Sequence, residues 1–259
     1  MFKRINWKAM LFGFTWLICL GSLGALMSFI EDKKQETTCS RIKIDLLEPH
    51  QYIERTEINQ LLTKNRETLI GKTLKTINIH QIEHSIKSNP FVKHAKVYAD
   101  MDGTLWVQIK QREPLMRVLN ILNQDFYIDR NGFKMPISKV FTPNVLVANG
   151  FIMEHFSHRV DTLKTQLVKD LFKTAVFIEN DALWSQQIEQ VYVNANADFE
   201  LVPRVGDHKI ILGNADALDI KFRNLLAFYK KALPSVGWNT YKTINLKYKN
   251  QIVCERSSE

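Results

Sequence analysis

Two histidines and a glutamate have the spacing of an inverted zinc-protease motif, H-x-x-E-H, at His80, Glu83 and His84. Histidines four residues apart share one face of a helix, where both could bind zinc while Glu83 acts as a general base. The predicted buried face of the same segment consists of its apolar residues, Ile79, Ile82 and Ile86. The two histidines and Glu83 should therefore point to solvent. Catalytic zinc needs a cleft and a third ligand, and the downstream sequence offers no evident one. We therefore predict no catalytic residue and no metal site, with an anchored zinc peptidase kept as an alternative.

Other nucleophile and cofactor signatures are equally weak. Ser40 and Lys43 match the S-x-x-K pattern of penicillin-binding proteins, but they lead into a strand and the sequence has no K-T-G. Cys39 and Cys254 have no histidine at an informative spacing, and Cys19 lies in an apolar run. The sequence also lacks the glycine patterns that bind phosphates or dinucleotides. We expect no enzyme activity and no cofactor.

One uncharged run near the N-terminus is long enough to cross a membrane. Residues 9–30 are 22 positions without a charge, and a helix of that length spans about 30 Å, the thickness of the hydrocarbon core. Cleavable signal sequences usually have an apolar region of about 7–15 residues, which favours retention as an anchor over cleavage. The preceding tail, residues 1–8, contains three basic residues, Lys3, Arg4 and Lys8. They predict a cytoplasmic N-terminus and an exported C-terminal part.

The exported part has room for two small folded domains. The chain has 259 residues and is 45% hydrophobic, richer in apolar residues than a disordered chain. Its net charge of +8 is spread along the sequence, as is typical of a solvated surface, and an exported chain does not meet nucleic acid. Three cysteines, one of them in the apolar run, do not make a disulfide framework.

Hydrophobic periodicity predicts a first domain over residues 41–113, after a polar tether over residues 31–40. Its predicted elements are a strand at Ile42–Leu46, helices from Thr56 and from Asn78, and strands at His94–Ala99 and Thr104–Lys110. Asn89-Pro90 should end the second helix, because the residue before a proline is pushed out of the helical region. Asp102-Gly103 between two alternating runs predicts a hairpin.

A second domain is predicted over residues 114–253, followed by a tail at 254–259. Its predicted elements are a hairpin turning at Asn131-Gly132, a strand at Val145–Val147, a helix over Val160–Ile178, strands at Ile188–Val193, Phe199–Val202 and Lys209–Leu212, a helix over Leu218–Leu233, and strands at Tyr241–Leu246 and Lys249–Val253. The pattern indicates an α+β protein whose C-terminal domain is an antiparallel sheet with flanking helices. The last strand signal, Tyr241–Tyr248, lies at the chain's end, where a sheet often has an edge. Such an edge either closes the fold or accepts a strand from another protein, and the pattern by itself favours the first.

Short motifs run through both predicted domains: Asn89-Pro90-Phe91-Val92, Ala95-x-Val97, Asp102-Gly103-Thr104-Leu105-x-Val107, Gln111-Arg112-x-Pro114, Tyr127-Ile128-Asp129 with Gly132, Ile210-Ile211-Leu212-Gly213 and Ile244-Asn245-Leu246-Lys247-Tyr248. With the order of the elements, they resemble the bacterial cell-division family FtsQ/DivIB over nearly the full length. The resemblance implies a single-pass inner-membrane protein with a POTRA domain over residues 41–113 and an FtsQ/DivIB-type β domain over residues 114–253. Its C-terminus would lie in the periplasm, at the division septum.

The resemblance also implies a function in septation. A member of the family is a non-catalytic divisome scaffold that binds the FtsB/DivIC and FtsL coiled-coil proteins and links early to late division proteins. The partner adds a strand along the last strands of the β domain, so Lys247 would pair with an acidic side chain and Tyr248 would pack on an apolar one. The expected contact residues are Ile244, Leu246, Lys247, Tyr248 and Asn250. The alternatives are another envelope assembly protein of the POTRA type and a binder of wall glycan.

Overall fold

The N-terminal segment forms one long helix. The computed structural model describes residues 7–47, 52–53, 56, 58, 60, 69–248 and 251–257. Helix α1 spans Trp7–Glu36, and its apolar window, Leu11–Ser28, has no buried residue. Of the helices in the described part of the chain, this one is long and apolar enough to cross a membrane.

Helix α1 extends beyond the predicted membrane segment. The sequence predicts a polar tether over residues 31–40, but the helix continues to Glu36. This stretch contains neither glycine nor proline, and charged residues do not by themselves end a helix. Residues 37–40 then connect α1 to the first strand, and Thr38 forms a β-bridge with Thr73.

The first compact unit, residues 1–49 and 54–110, contains a three-stranded sheet. Its strands are β1 (Arg41–Leu46), β2 (Val92–Ala99) and β3 (Thr104–Gln111), with β3 in the middle and parallel to β1. Helix α2 (Ile79–Lys87) packs against β2 and buries Ile82 and Ile86. Of the helix predicted from Thr56, the residues Thr56, Ile58, Gln60 and Leu69 are helical, and residues 57, 59 and 61–68 lie outside the described residues.

Local signals place the ends of these elements. The Asn78 side chain accepts a hydrogen bond from the backbone N–H of Gln81 at 3.0 Å, which caps α2 as predicted. The predicted hairpin is also confirmed, because the Asp100 N–H donates to the Thr104 carbonyl at 2.8 Å. Gly103 has a φ of +84°, and a Cβ added there would lie 2.5 Å from the Thr38 carbonyl oxygen. The turn therefore requires glycine at this position.

The second unit, residues 50–53 and 111–259, is built on a ten-stranded sheet. Its strands are β4 (Pro114–Leu119), β5 (Asp125–Asp129), β6 (Phe133–Met135), β7 (Leu146–Gly150), β8 (Asp161–Thr162), β9 (Ile188–Val193), β10 (Phe199–Pro203), β11 (Lys209–Gly213), β12 (Tyr241–Asn245) and β13 (Val253–Arg256). They lie in the order β13-β12-β11-β10-β9-β7-β4-β5-β6-β8. The predicted α+β class is confirmed, but the sheet is mixed, because β4 with β7, β7 with β9 and β11 with β12 pair in parallel.

Helices α3 (Gln166–Glu179), α4 (Trp184–Gln187), α5 (Leu218–Lys231) and α6 (Leu233–Val236) accompany this sheet, and the buried side chains of α3 and α5 belong to its core. The predicted helix start at Val160 is wrong. Asp161 and Thr162 instead pair with β6 as strand β8, and Thr165 caps α3 by accepting from the Val168 N–H. The last long helix ends at Lys231, short of the predicted Leu233.

A buried ion pair fixes the segment between β7 and α3. Lys134 Nζ lies 2.7 Å from Glu154 Oε1, and their side chains are 2% and 0% exposed. Glu154 also accepts from the N–H groups of Lys164 and Thr165 and from the Thr165 hydroxyl. Burial by itself raises the pKa of Glu154, but the Lys134 ammonium and these donors hold it below its ordinary value.

Candidate partner-binding strand edge

Strand β12 lies inside the sheet. It pairs in parallel with β11 on one side and antiparallel with β13 on the other. After the strand, the Leu246 N–H donates to the Ile211 carbonyl at 2.8 Å, which continues the contact with β11. The free edge therefore lies one strand further out than the sequence predicts. The second terminal strand is Val253–Arg256 rather than Lys249–Val253, and it includes residues assigned from the sequence to a tail.

The backbone groups of β13 alternate between the sheet and its outer side. The Ser257 N–H donates to the Thr240 carbonyl at 3.1 Å, so Glu255 and Val253, at alternate positions, also face β12. Cys254 and Arg256 therefore direct their N–H and C=O groups outward. No described strand pairs with this outer side, because β13 is the terminal strand of the sheet. An edge of this kind can accept a strand from another chain.

The predicted contact residues divide into two groups. Ile244 and Leu246 are 0% and 4% exposed, so they hold β12 in the core and have almost no surface left for a partner. Tyr248 is 52% exposed. Asn250 lies outside the described residues. Among the described residues of the predicted set, direct contact of a side chain with the partner therefore stays a prediction for Lys247 and Tyr248.

Lys247 already has an acidic partner within its own chain. Its Nζ lies 2.6 Å from Asp198 Oδ2, in a pair whose side chains are 45% and 22% exposed. The Lys247 N–H donates to the Asn245 side chain at 3.0 Å, and a Cβ added at Gly213 would lie 2.8 Å from Lys247 Cγ. The lysine is thus held beside the end of β11, and a carboxylate from another protein would have to share it with Asp198.

Sequence reasoning predicted a last strand but misplaced β13, which lies at Val253–Arg256 rather than at Lys249–Val253. Val253 is 44% exposed, and Glu255 and Arg256 are exposed as well. On the opposite face, Ile252 and Cys254 are half-buried against the core, and burial raises the pKa of the Cys254 thiol. In the sequence, Gln251 is followed by three consecutive apolar residues, Ile252 to Cys254, so no polar–apolar alternation marks where this strand begins or ends.

One backbone donor on the outer side of β2, in the first unit, is already occupied. Glu83 Oε1 accepts a hydrogen bond from the Val97 N–H at 2.8 Å, so helix α2 caps this edge with a side chain. The prediction that Glu83 points to solvent is therefore wrong, as its side chain is 19% exposed. The carboxylate is engaged in the fold, which argues against a role as general base. Within the described chain, no cluster of three histidine, cysteine or acidic residues could hold a metal.

Fold and edge together define a class: a membrane-anchored protein with a small α+β unit followed by a larger β-rich unit that ends in an open strand. Residues 37–110 match the model of a POTRA-like domain, and residues 113–255 match the family model described as FtsQ/DivIB, C-terminal related. The chain belongs to the FtsQ/DivIB family.

Curated relatives carry the same family name. A cell division protein FtsQ from Rhodothermus marinus is 25% identical over 188 residues, which cover 71% of this chain and 67% of the relative. The FtsQ of Geotalea daltonii is 23% identical over 214 residues, covering 79% and 75%. The FtsQ of Rickettsia bellii is 27% identical over 111 residues, covering 42% and 39%. These similarities support a role in cell division for this chain.

Proposed function

We propose that this chain is a non-catalytic divisome scaffold that binds the FtsB/DivIC and FtsL coiled-coil proteins at the outer edge of β13. In this role it links early and late division proteins during septal wall synthesis. The observation that carries the proposal is the terminal position of β13, whose outward N–H and C=O groups, at Cys254 and Arg256, pair with no described strand. Backbone hydrogen bonds would supply affinity, and neighbouring side chains would supply specificity.

The side chains around the edge favour a partner strand of a particular pattern. Ile252 and Cys254 continue the core face of the sheet, so apolar partner residues on that face would extend the core. Val253 offers exposed apolar surface on the edge strand itself, and Tyr248, which follows β12, is exposed as well. Lys247 lies beside the end of β11, which β12 separates from this edge, so it would attract an acidic side chain from a part of the partner that extends past β12, although Asp198 already neutralises part of its charge.

The occupied donor on the edge strand of the first unit supports this choice of site. Strand β2 also ends its sheet, but the Glu83 side chain occupies the Val97 N–H, so an added strand would first have to displace that hydrogen bond. No such cap occupies the outward N–H of Cys254 among the described residues. Strand addition is therefore easier at β13 than at β2.

The proposed topology follows from the membrane helix. The basic residues of the tail favour a cytoplasmic N-terminus, which would place both folded units in the periplasm at the division septum. The first unit would then remain available for other divisome members, while β13 holds the coiled-coil pair.

The test removes one outward backbone donor. Proline at position 254 lacks the N–H that faces away from the sheet, and edge strands tolerate proline where this group faces solvent. Cys254→Pro should weaken capture of a co-expressed FtsB/DivIC–FtsL pair by the full-length protein. The expected loss is about tenfold or more, since one hydrogen bond contributes roughly 0.5–1.5 kcal/mol and the proline ring also obstructs a partner strand.

Cys254→Ala is the matched control, because it shortens the side chain and keeps the N–H. It should bind the pair as the unchanged protein does, and both variants should unfold near the same temperature. Equal capture by Cys254→Pro and Cys254→Ala would show that docking does not use this edge.

A further inference from the structure

The three-stranded sheet of the first unit carries a row of aromatic and basic side chains. Lys43 on β1 faces Trp106 on β3 in register, and its Nζ lies 4.5 Å from the ring centroid. Trp106 stacks with Tyr98 on β2, with centroids 6.3 Å apart and planes 10° apart. Lys96 Nζ lies 5.9 Å from the Tyr98 centroid. We call these four residues the basic aromatic row.

The row lies on the face opposite the buried residues of this sheet. Leu105 and Val107, which flank Trp106 in sequence, are both 0% exposed, so Trp106 points to the other side. Val97 is likewise buried between Lys96 and Tyr98. Tyr98 is 37% exposed and Trp106 is half-buried between its neighbours. The rings are therefore accessible from solvent on this face.

The row carries a net positive charge. No ion pair among the described residues includes Lys43, Lys96 or Lys110, all of which lie on this face. Arg41, also on this face, is neutralised by Asp102 at 2.7 Å. Asp45 lies on the same face opposite Gln108 and offsets one of the lysines.

The row is held close to the membrane by the chain itself. Helix α1 runs eight residues past its apolar window, a rise of about 12 Å. Residues 37–40 add at most about 3.5 Å each before β1 begins. The first strand therefore starts within roughly 30 Å of the hydrocarbon core.

We propose that the basic aromatic row docks on anionic phospholipid headgroups of the membrane that α1 spans. Tryptophan and tyrosine rings favour the membrane–water interface, where an apolar ring and a polar atom are both accommodated. Each lysine near an anionic surface changes the ratio of docked to undocked protein by about fivefold. The short connection keeps the effective concentration of lipid high, which favours lipid over a freely diffusing acidic protein. This inference needs the membrane anchor but not the division partners.

The test uses Trp106 fluorescence in the full-length protein. Trp7 and Trp16 lie in α1, so both are replaced by phenylalanine, and the signal of a further Trp106→Phe variant is subtracted. The protein is reconstituted in phosphatidylcholine vesicles with or without about 30% phosphatidylglycerol, each containing a lipid with a nitroxide headgroup. Quenching of Trp106 should appear with phosphatidylglycerol and fall as salt is raised, because salt screens the lysines.

Charge reversal identifies the residues responsible. Lys43→Glu/Lys96→Glu should lower the docked-to-undocked ratio by about 25-fold or more, to the level in phosphatidylcholine alone. Lys230→Glu/Lys231→Glu changes the same charge at the exposed end of α5 and should leave quenching unaltered. If the first variant misfolds, the salt titration of the unchanged protein decides. Quenching of Trp106 that does not depend on phosphatidylglycerol would overturn the proposal. A change in Trp106 fluorescence that appears only when an acidic protein is added would also overturn it.

Discussion

The buried ion pair in the second unit gives the sharpest test of how this fold is held together. Lys134→Met keeps a side chain of similar length and removes the ammonium that contacts Glu154 at 2.7 Å and the His155 carbonyl at 2.8 Å. Glu154 then remains buried as a carboxylate with hydrogen-bond donors from Lys164 and Thr165 but without its counter-charge. The change should therefore destabilise the second unit.

The magnitude follows from the burial of the pair. Side chains that are 2% and 0% exposed have almost no water to screen the charge that is left, and breaking a buried pair from one side costs about 3–5 kcal/mol. At about 2–4 °C per kcal/mol for a domain of this size, the melting temperature should fall by roughly 6–20 °C. Lys134→Met/Glu154→Gln removes the stranded charge and should recover part of this loss.

The assay is denaturant unfolding of the full-length protein in detergent, followed through near-ultraviolet fluorescence. Trp184 is 2% exposed in the core of the second unit, and it reports on this unit separately from the first once Trp7, Trp16 and Trp106 are replaced by phenylalanine. The Glu154 pKa is lowered, so the stabilisation by the pair is present above the unfolded value near 4.3 and is lost as pH falls through the folded value. A loss below about 1 kcal/mol for Lys134→Met, or a double variant less stable than the single one, would refute this reasoning.

Three further predictions concern the site and its surroundings. Lys247→Glu with Tyr248→Ala should abolish capture of the coiled-coil pair while leaving the melting temperature nearly unchanged, since both side chains are partly exposed; pull-down at the original strength would count against a role for them. His208 is buried, and burial lowers its pKa, so near neutral pH the unfolded chain binds a proton more readily than the folded chain. Stability should therefore fall as pH drops below about 6.5. His208→Gln should lose this dependence when unfolding is measured at pH 5–8. Glu83→Ala should free the Val97 N–H and raise self-association, measured by light scattering, whereas Glu83→Gln, which keeps an acceptor oxygen, should behave as the unchanged protein.

Short-range features of this fold are readable from the sequence because their causes lie within a few residues. Asn78 caps α2 through a neighbour three residues on, and Asp102-Gly103 supplies the positive φ that its hairpin needs. The uncharged run over residues 9–30 predicts a membrane helix from length and composition alone. The order of strands and helices, and with it the family resemblance, follows from signals of the same local kind.

Boundaries were less predictable where a distant strand competed with local preference. The periodicity from Val160 is compatible with a helix, yet Asp161 and Thr162 pair with β6, and α3 begins at Gln166. The cap at Thr165 is a local signal for that start, but nothing nearby in the sequence announces β6 as a partner. Pairing between distant segments thus shortened the helix by several residues.

The position of the binding edge is a property of the tertiary structure. An alternating strand has the same pattern inside a sheet and at its rim, so the sequence of β12 does not reveal that β13 covers it. The hydrogen bond from Val97 to Glu83 spans 14 residues and the pair of Lys247 with Asp198 spans 49, and each depends on how separate elements pack. Length, composition and local periodicity are enough to predict the apolar N-terminal helix, the division into two folded parts and the strand that leads to the site. Which strand stayed open depends on backbone pairing between distant segments. In the described part of that sheet, β13 and β8 lie at the two ends, and each strand between them pairs on both sides.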